Sequence, residues 1–307
     1  MRDAAGGNAV EQTVGVLIAI VSSCLGGSAA AVTRYLGANA DPVTLAILRW
    51  GIGFLLVLPA TVLARAKWPP PGDWPSVAAL GVAFFGLFFI FYNIALEYTT
   101  VARATLALST LPLQTMAVGA LLGIEPLTLR KTIGVAIAML GVFAALATGL
   151  AAAPAGAWRG EAIMTGAVLC MACYNIWSRR FIVRSSSLSF LCVGMGAGAG
   201  ALILLGALTG RMAVLESFGA PQWAAGIYLG IGGGALAFIL WVMALQRTTP
   251  TLVANTMTVN PIAAALLATQ LVGEPITLNL VAGLVAVFAG IWIATAGAPP
   301  KQAAGRQ

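Results

Sequence analysis

Ten stretches of about 20 mostly apolar residues run along this chain, separated by short polar breaks. A helix rises about 1.5 Å per residue and the hydrocarbon core of a bilayer is about 30 Å thick, so each stretch can cross it. They lie near 13–34, 42–64, 75–96, 101–122, 129–149, 160–178, 188–208, 221–245, 250–271 and 276–297. Their apolarity is continuous rather than alternating, which predicts helices and not barrel strands. The stretches 101–122 and 250–271 are the least uniform, since both carry several hydroxyls and amides. With 60% apolar and only 8% charged residues, the chain lacks the polar surface of a soluble domain, where about 25% charged is usual. The expectation is an all-α integral membrane protein of ten transmembrane helices.

Composition narrows the chemistry as well. There is no His, and the 16 Lys+Arg and 9 Asp+Glu are scattered singly or in pairs. That argues against an imidazole-based metal or acid–base site, and against a basic face for nucleic acid. No G-x-x-x-x-G-K-[ST] run is present to cradle a nucleotide. The reading is therefore no enzyme, no cofactor and no nucleic acid, with a small-molecule substrate and the bilayer as partners. Cys170 and Cys173 form C-x-x-C inside an apolar span with no second pair, and with Cys24 and Cys192 they read as small packing residues.

About 12 residues precede the first span, whose long apolar run shows no clear cleavage pattern, so it is expected to be a retained helix rather than a signal peptide. If both termini share one side, that side holds Arg2, Arg65, Lys67, Arg130, Lys131, Arg179, Arg180, Arg184, Arg247, Lys301 and Arg306. The other side holds Arg34, Arg103, Arg159 and Arg211, with Arg49 a short way inside the second span. Loops rich in Lys and Arg stay in the cytoplasm, so both termini are expected there, in an inner (plasma) membrane protein.

Residues 95–147 and 244–296 align without a gap at an offset of 149. The matches include Thr99/Thr248, Thr100/Thr249, Pro112/Pro261, Glu125/Glu274, Pro126/Pro275, Thr128/Thr277, Gly134/Gly283 and Gly141/Gly290. Apolar composition alone would not place those residues in one register. The unit is five spans, duplicated. Residues 1–149 form the first repeat, 150–159 a linker, 160–297 the second repeat, and 298–307 a cytoplasmic tail. Because five is odd, the second copy enters from the opposite face, giving two inverted five-helix repeats. Such a plan lets two pseudo-equivalent halves open alternately around a site near the midplane.

The segments Pro42-Val-Thr-Leu-Ala-Ile-Leu-Arg49 and Ala95-Leu-Glu-Tyr-Thr-Thr, with Pro112 and Glu125-Pro, carry a resemblance in the first half. In the second half it is carried by Ala244-Leu-Gln-Arg-Thr-Thr-Pro, Pro261 and Glu274-Pro. The chain resembles the EamA-type permeases of the drug/metabolite transporter superfamily over nearly its whole length. Such families export amino acids and other metabolites or import small solutes. The resemblance implies a permease for a small polar or amphipathic metabolite, with an amino acid the leading substrate and export slightly favoured. It also places the first span beside the cavity, to which Ser22, Ser23 and Ser28 would contribute. The seventh span has no counterpart of Arg49. An uncoupled channel-like facilitator is one alternative, since no Asp or Glu lies mid-span to carry a proton. A non-transporting membrane scaffold is another.

Candidate substrate-binding residues follow from depth and polarity. Pro112 and Pro261 fall near the middles of the fourth and ninth spans, where a proline frees backbone groups that lipid cannot satisfy. Matching interruptions in two halves point to a transporter's site, although packing kinks are the plainer alternative. Ser109, Thr110, Gln114, Asn255, Thr258 and Asn260 lie on the same two spans. The hydroxyls could serve their own helix backbone, so the amides are the more telling members. Tyr92 and Asn93 on the third span and Tyr174 and Asn175 on the sixth suggest facing walls; Trp241 on the eighth is a deeper aromatic candidate, while Trp177 could sit in an interfacial belt. Arg49 lies about 10 Å along its helix from Pro42. With Arg103 it could attract a substrate carboxylate, or it could pair with Asp41 or Glu97. Glu125 and Glu274, each before a Pro, read as helix starts. Gly194 and Gly198, and Gly226, Gly230 and Gly234, form small-x-x-x-small faces suited to close helix packing, or to pairing of a second copy in a homodimer.

Overall fold

The computed structural model describes residues 2–123, 154–182, 184–247 and 256–273, with isolated positions between 129 and 140 and between 275 and 293; over 2–12 it describes the backbone alone. The described residues are helical, and no strand occurs among them. The spans expected at 129–149 and 276–297 lie outside this set apart from those isolated positions.

The helices are α1 (Arg2–Leu36), α2 (Pro42–Leu63), α3, α4, α5 (Ala157–Ile182), α6 (Ser187–Leu208), α7 and α8. Four are composite. In α3 a single 3₁₀ turn, Pro71–Asp73, leads into Trp74–Gly81, then a π-helical stretch Val82–Phe88, then Phe89–Tyr98. α7 repeats the plan with Ala220–Gly230, π-helical Ile231–Leu236 and Ala237–Arg247. α4 consists of Val101–Leu108 and Leu111–Leu121 around a turn at Ser109–Thr110, and α8 of a 3₁₀ turn Met257–Val259 followed by Asn260–Val272. Among the described residues six helices are long and apolar enough to cross a membrane: α1 over Thr13–Leu36, then α2, α3, α4, α6 and α7.

Local chemistry sets the helix starts. Asp41 caps α2 by accepting from the Val43 and Thr44 N–H groups, with Pro42 in the first turn, where its missing N–H is no loss. Thr100 accepts from the Arg103 N–H at α4, and Ser186 from the Ser189 N–H at α6. Pro112 and Pro261 likewise open the second segments of α4 and α8, so each proline begins a half-helix instead of kinking a continuous one. At the amino end α1 extends back to Arg2, beyond the apolar stretch, over a segment without Pro, where adding residues to an existing helix costs less than starting one.

The four interruptions fall in one register. Val82 and Ile231, where the π-helical stretches begin, are 149 residues apart, and the same offset carries the turn at Ser109–Thr110 into the 3₁₀ turn Met257–Val259. Packing is reciprocal too. α1 lies against α7 and α8 while α5 lies against α3 and α4; α2 packs on α7 and α6 on α3, and α2 meets α6. The connections follow suit. Both the Ser186 N–H and the Ser189 hydroxyl donate to the Lys67 carbonyl, and Arg184 pairs with Asp73 at 3.3 Å, joining the α5–α6 turn to the start of α3. Arg211 pairs with Asp41 at 3.1 Å, joining the α6–α7 connection to the start of α2.

Aromatic rings fill the centre. Trp50 is fully buried, with Phe89, Phe85 and Phe238 edge-on at 4.4, 4.8 and 5.4 Å between centroids. Backbones come close where side chains are absent. A Cβ on Gly81 would run into the backbone of Gly194, and one on Gly234 would sit 2.7 Å from the Arg49 carbonyl oxygen. Lipid offers no hydrophobic drive for helix pairing, so such close approach supplies the packing.

Candidate functional site

Among the described residues Arg49 is a charge buried in the middle of this aromatic centre, and it is 5% exposed. Its Nη2 donates to the Gly233 carbonyl at 2.9 Å. That carbonyl belongs to the π-helical stretch of α7, where the widened turn disturbs the regular i to i+4 ladder. The guanidinium carbon lies 4.8 Å from the Phe89 ring centre, 5.1 Å from Trp50 and 5.9 Å from Tyr92. Rings at this range attract a cation through their quadrupoles. Arg49 Nε and Nη1 are buried without a hydrogen-bond partner. Helices α2, α3 and α7 build this pocket of side chains, and α1 closes it, since a Cβ on Gly233 would collide with Ala29.

The ion pair weighed between Arg49 and Asp41 or Glu97 does not form. Asp41 lies at the helix start and is taken by Arg211 and by its own capping bonds. Burial pushes the Asp41 carboxyl up, but bonds from Thr44, Arg211 and the Val43 N–H outweigh it and hold the group below its ordinary value. Arg103 is engaged as well: its Nε donates to Glu161 of α5 at 2.5 Å, with both side chains largely buried.

The other candidates fall in separate places. Tyr92 is buried against Arg49. Its neighbour Asn93 donates from Nδ2 to the Pro42 carbonyl at 2.8 Å and so ties α3 to the start of α2. Tyr174 is stacked on Phe84 at 4.3 Å, joining α5 to α3. The Ser109 and Thr110 hydroxyls donate to the Thr105 and Ala107 carbonyls of their own helix. Gln114 Nε2 lies 3.2 Å from Thr110 Oγ1 and 3.4 Å from the Thr165 carbonyl, bridging α4 and α5. Trp241 is half-buried beside Ala19 and Ala244.

A second polar seam runs between α1 and α8. Ser23 and Thr256 hydroxyls meet at 3.1 Å, and the buried amide of Asn260 lies over Gly26 with its Oδ1 unpartnered. Pro261 is buried in the same turn. Close by, Ser22 donates to the Ala237 carbonyl at the end of the π-helical stretch. Asn255 lies outside the described residues, as do the side chains of Pro112, Asn175 and Thr258.

The sequence singled out Arg49 and Tyr92, which the structure places side by side, but not their surroundings. Trp50, Phe89 and Gly233 were indistinguishable from apolar filler and packing glycine. The one available signal was the density of rings in Phe84-Phe85-Gly-Leu-Phe88-Phe89, opposite the glycine run Gly232–Gly234.

A membrane helix bundle with duplicated interruptions around a buried cation defines a class of polytopic membrane protein, and comparison with known proteins gives that class a family. The EamA-like transporter family matches residues 13–147 and again residues 158–296. The chain belongs to that family. Its relatives include an uncharacterized transporter of Archaeoglobus fulgidus, 24% identical over 82% of this chain and 88% of its own length. An uncharacterized transporter of Bacillus subtilis is 23% identical over 72% of each chain, and one of Schizosaccharomyces pombe is 26% identical over 72% of this chain and 69% of its own. One solved crystal structure aligns with 92% of this chain and 98% of its own at a TM-score of 0.67 and 22% identity, a likeness of fold. The protein is thus a multi-pass membrane protein of a transporter family.

Proposed function

We propose that this chain is a secondary permease that moves a small polar or amphipathic metabolite, an amino acid or related compound first among them, by alternating access. The observation that carries the reading is the common register of four helix interruptions, two in each repeat. Broken helices at membrane depth survive where protein or a wet cavity satisfies their backbone, and matched breaks in two halves mark transporter sites. The reciprocal packing of α1 and α2 on the second repeat, and of α5 and α6 on the first, supports two inverted halves that rock against one another. So does the seating of the α5–α6 turn beside the start of α3 while the α6–α7 connection sits beside the start of α2. Ten helices, division at the Leu150–Ala157 stretch, both termini in the cytoplasm and a plasma-membrane location complete the reading. Export is the favoured direction.

The candidate cavity residues remain those of α3, α4, α5, α7 and α8, with Arg49 of α2 at the centre. Since no carboxylate lies mid-span in the sequence, exchange or uncoupled flux is expected rather than proton antiport. The test is counterflow in proteoliposomes: the purified protein, loaded inside with unlabelled amino acids one at a time, should accumulate the matching labelled solute transiently. Accumulation that does not change with an imposed pH gradient supports the uncoupled form. Absence of counterflow for any metabolite tried, together with stoichiometric co-purification of another membrane protein, would favour the scaffold reading instead.

A further inference from the structure

The Arg49 pocket is built at a cost that the described chain does not recover. A guanidinium that leaves water for the interior of a bundle is expensive unless its donors are met, and partnered charge inside a membrane marks function. Here one of three nitrogens has a partner, the Gly233 carbonyl, while Nε and Nη1 have none. The ring faces around it offset part of the penalty but accept no hydrogen bond of ordinary strength, and the Tyr92 hydroxyl set against the guanidinium is a neutral group that brings no balancing charge. The carboxylates of Asp41, Asp73 and Glu161 are each committed to another arginine. The arrangement holds a positive charge ready, with donors free, at the point where α1, α2, α3 and the π-helical turn of α7 converge.

From this geometry we infer that Arg49 receives the carboxylate of the transported solute. The inference rests on the permease reading and narrows its substrate class to solutes that carry a carboxylate. A carboxylate would meet the orphaned donors with charge-assisted bonds, which are shorter and stronger than neutral ones. Because Gly233 belongs to a π-helical turn, the pocket wall is a segment whose backbone pattern can re-register as the halves move, opening Arg49 to the solute. The equivalent position in the second repeat is Gly198, where a Cβ would lie 2.6 Å from that of Phe85. The recognition is therefore one-sided: the first repeat supplies the charge and the second supplies the glycine run that admits it.

The experiment measures thermal unfolding of the purified full-length protein in detergent against acid and amide pairs. The probes are L-leucine and leucinamide, L-phenylalanine and phenylalaninamide, and benzoate and benzamide, with chloride and phosphate as inorganic anions. At least one acid should raise the melting temperature saturably while its amide and the inorganic anions do not, by mass action on the folded form. Arg49→Gln should abolish that shift. Arg49→Lys, which keeps the charge but not the planar fork, should weaken the midpoint concentration about tenfold. Should Arg49→Gln fail to fold, the Arg49→Lys comparison alone decides. Acids and amides acting equally, Arg49→Gln binding an acid at the wild-type midpoint, or chloride and phosphate matching the acids would each overturn the inference. Counterflow of amides but not acids would overturn it while leaving the permease reading intact. Loss of counterflow for solutes of every charge would instead strike the permease reading itself.

Discussion

Arg103 and Arg184 each reach a carboxylate, yet the two pairs differ in what surrounds them. The Arg103 and Glu161 side chains are 10% and 13% exposed, whereas Arg184 is 62% exposed where it meets Asp73. Removing one member of a buried pair strands the other without water, at about 3–5 kcal/mol, while an exposed pair contributes at most about 1 kcal/mol. Glu161→Ala should therefore lower the melting temperature in detergent clearly, and Arg184→Ala barely; equal shifts would show that burial does not govern these pairs. Asp41 makes a prediction about pH. Its carboxyl is held below the ordinary value, so its ionised form stabilises the fold at neutral pH. That contribution is present above the ordinary carboxylate pKa, about 3.9, and is lost as pH falls through the lower folded value. Asp41→Asn keeps an oxygen to cap α2 but not the charge that Arg211 meets. The variant should be less stable than wild type at pH 7, and the gap should close in melts taken below about pH 4.

Helix pairs in this bundle are set by where a side chain is missing. Gly81 and Gly51 lie in neighbouring helices, but the first faces the backbone of Gly194 and the second faces open space. Gly81→Ala should push α3 away from α6 and destabilise by about 1–3 kcal/mol, as overpacking does. Gly51→Ala should be neutral or stabilise by up to about 1 kcal/mol through helix propensity. Melting of both variants checks the contrast, and a neutral Gly81→Ala would mean the two helices have room to separate. The composite helices obey a related rule. Pro112 and Pro261 were legible as interruptions because proline lacks an N–H, whereas the π-helical turns of α3 and α7 carry no residue that announces them. Val82–Phe88 and Ile231–Leu236 share little beyond small and apolar side chains. Only the backbone hydrogen-bond pattern of the folded chain reveals the widened turns.

At the scale of the whole molecule, duplication at an offset of 149 was legible because Thr-Thr, Pro and Glu-Pro recur in one register, and the family match falls on both copies. The proposed inverted topology can be checked by labelling. In a background without Cys24, Cys170, Cys173 and Cys192, Asn39→Cys in the α1–α2 turn should react with an impermeant maleimide from outside the cell. Ser185→Cys in the α5–α6 turn should react only after the membrane is opened. Reaction of both from one side would break the inverted arrangement and the cavity with it. Membrane class, repeat and family were all determined by the sequence itself, since length of apolar run and order of residues are one-dimensional properties. Which polar group meets which was decided by the tertiary structure: Asp41 finds Arg211, Arg103 finds Glu161, and Arg49 finds the Gly233 carbonyl among aromatic rings. Those partners lie far apart in the chain, and they meet only through the rotation and crossing of packed helices, which spacing along a sequence does not encode.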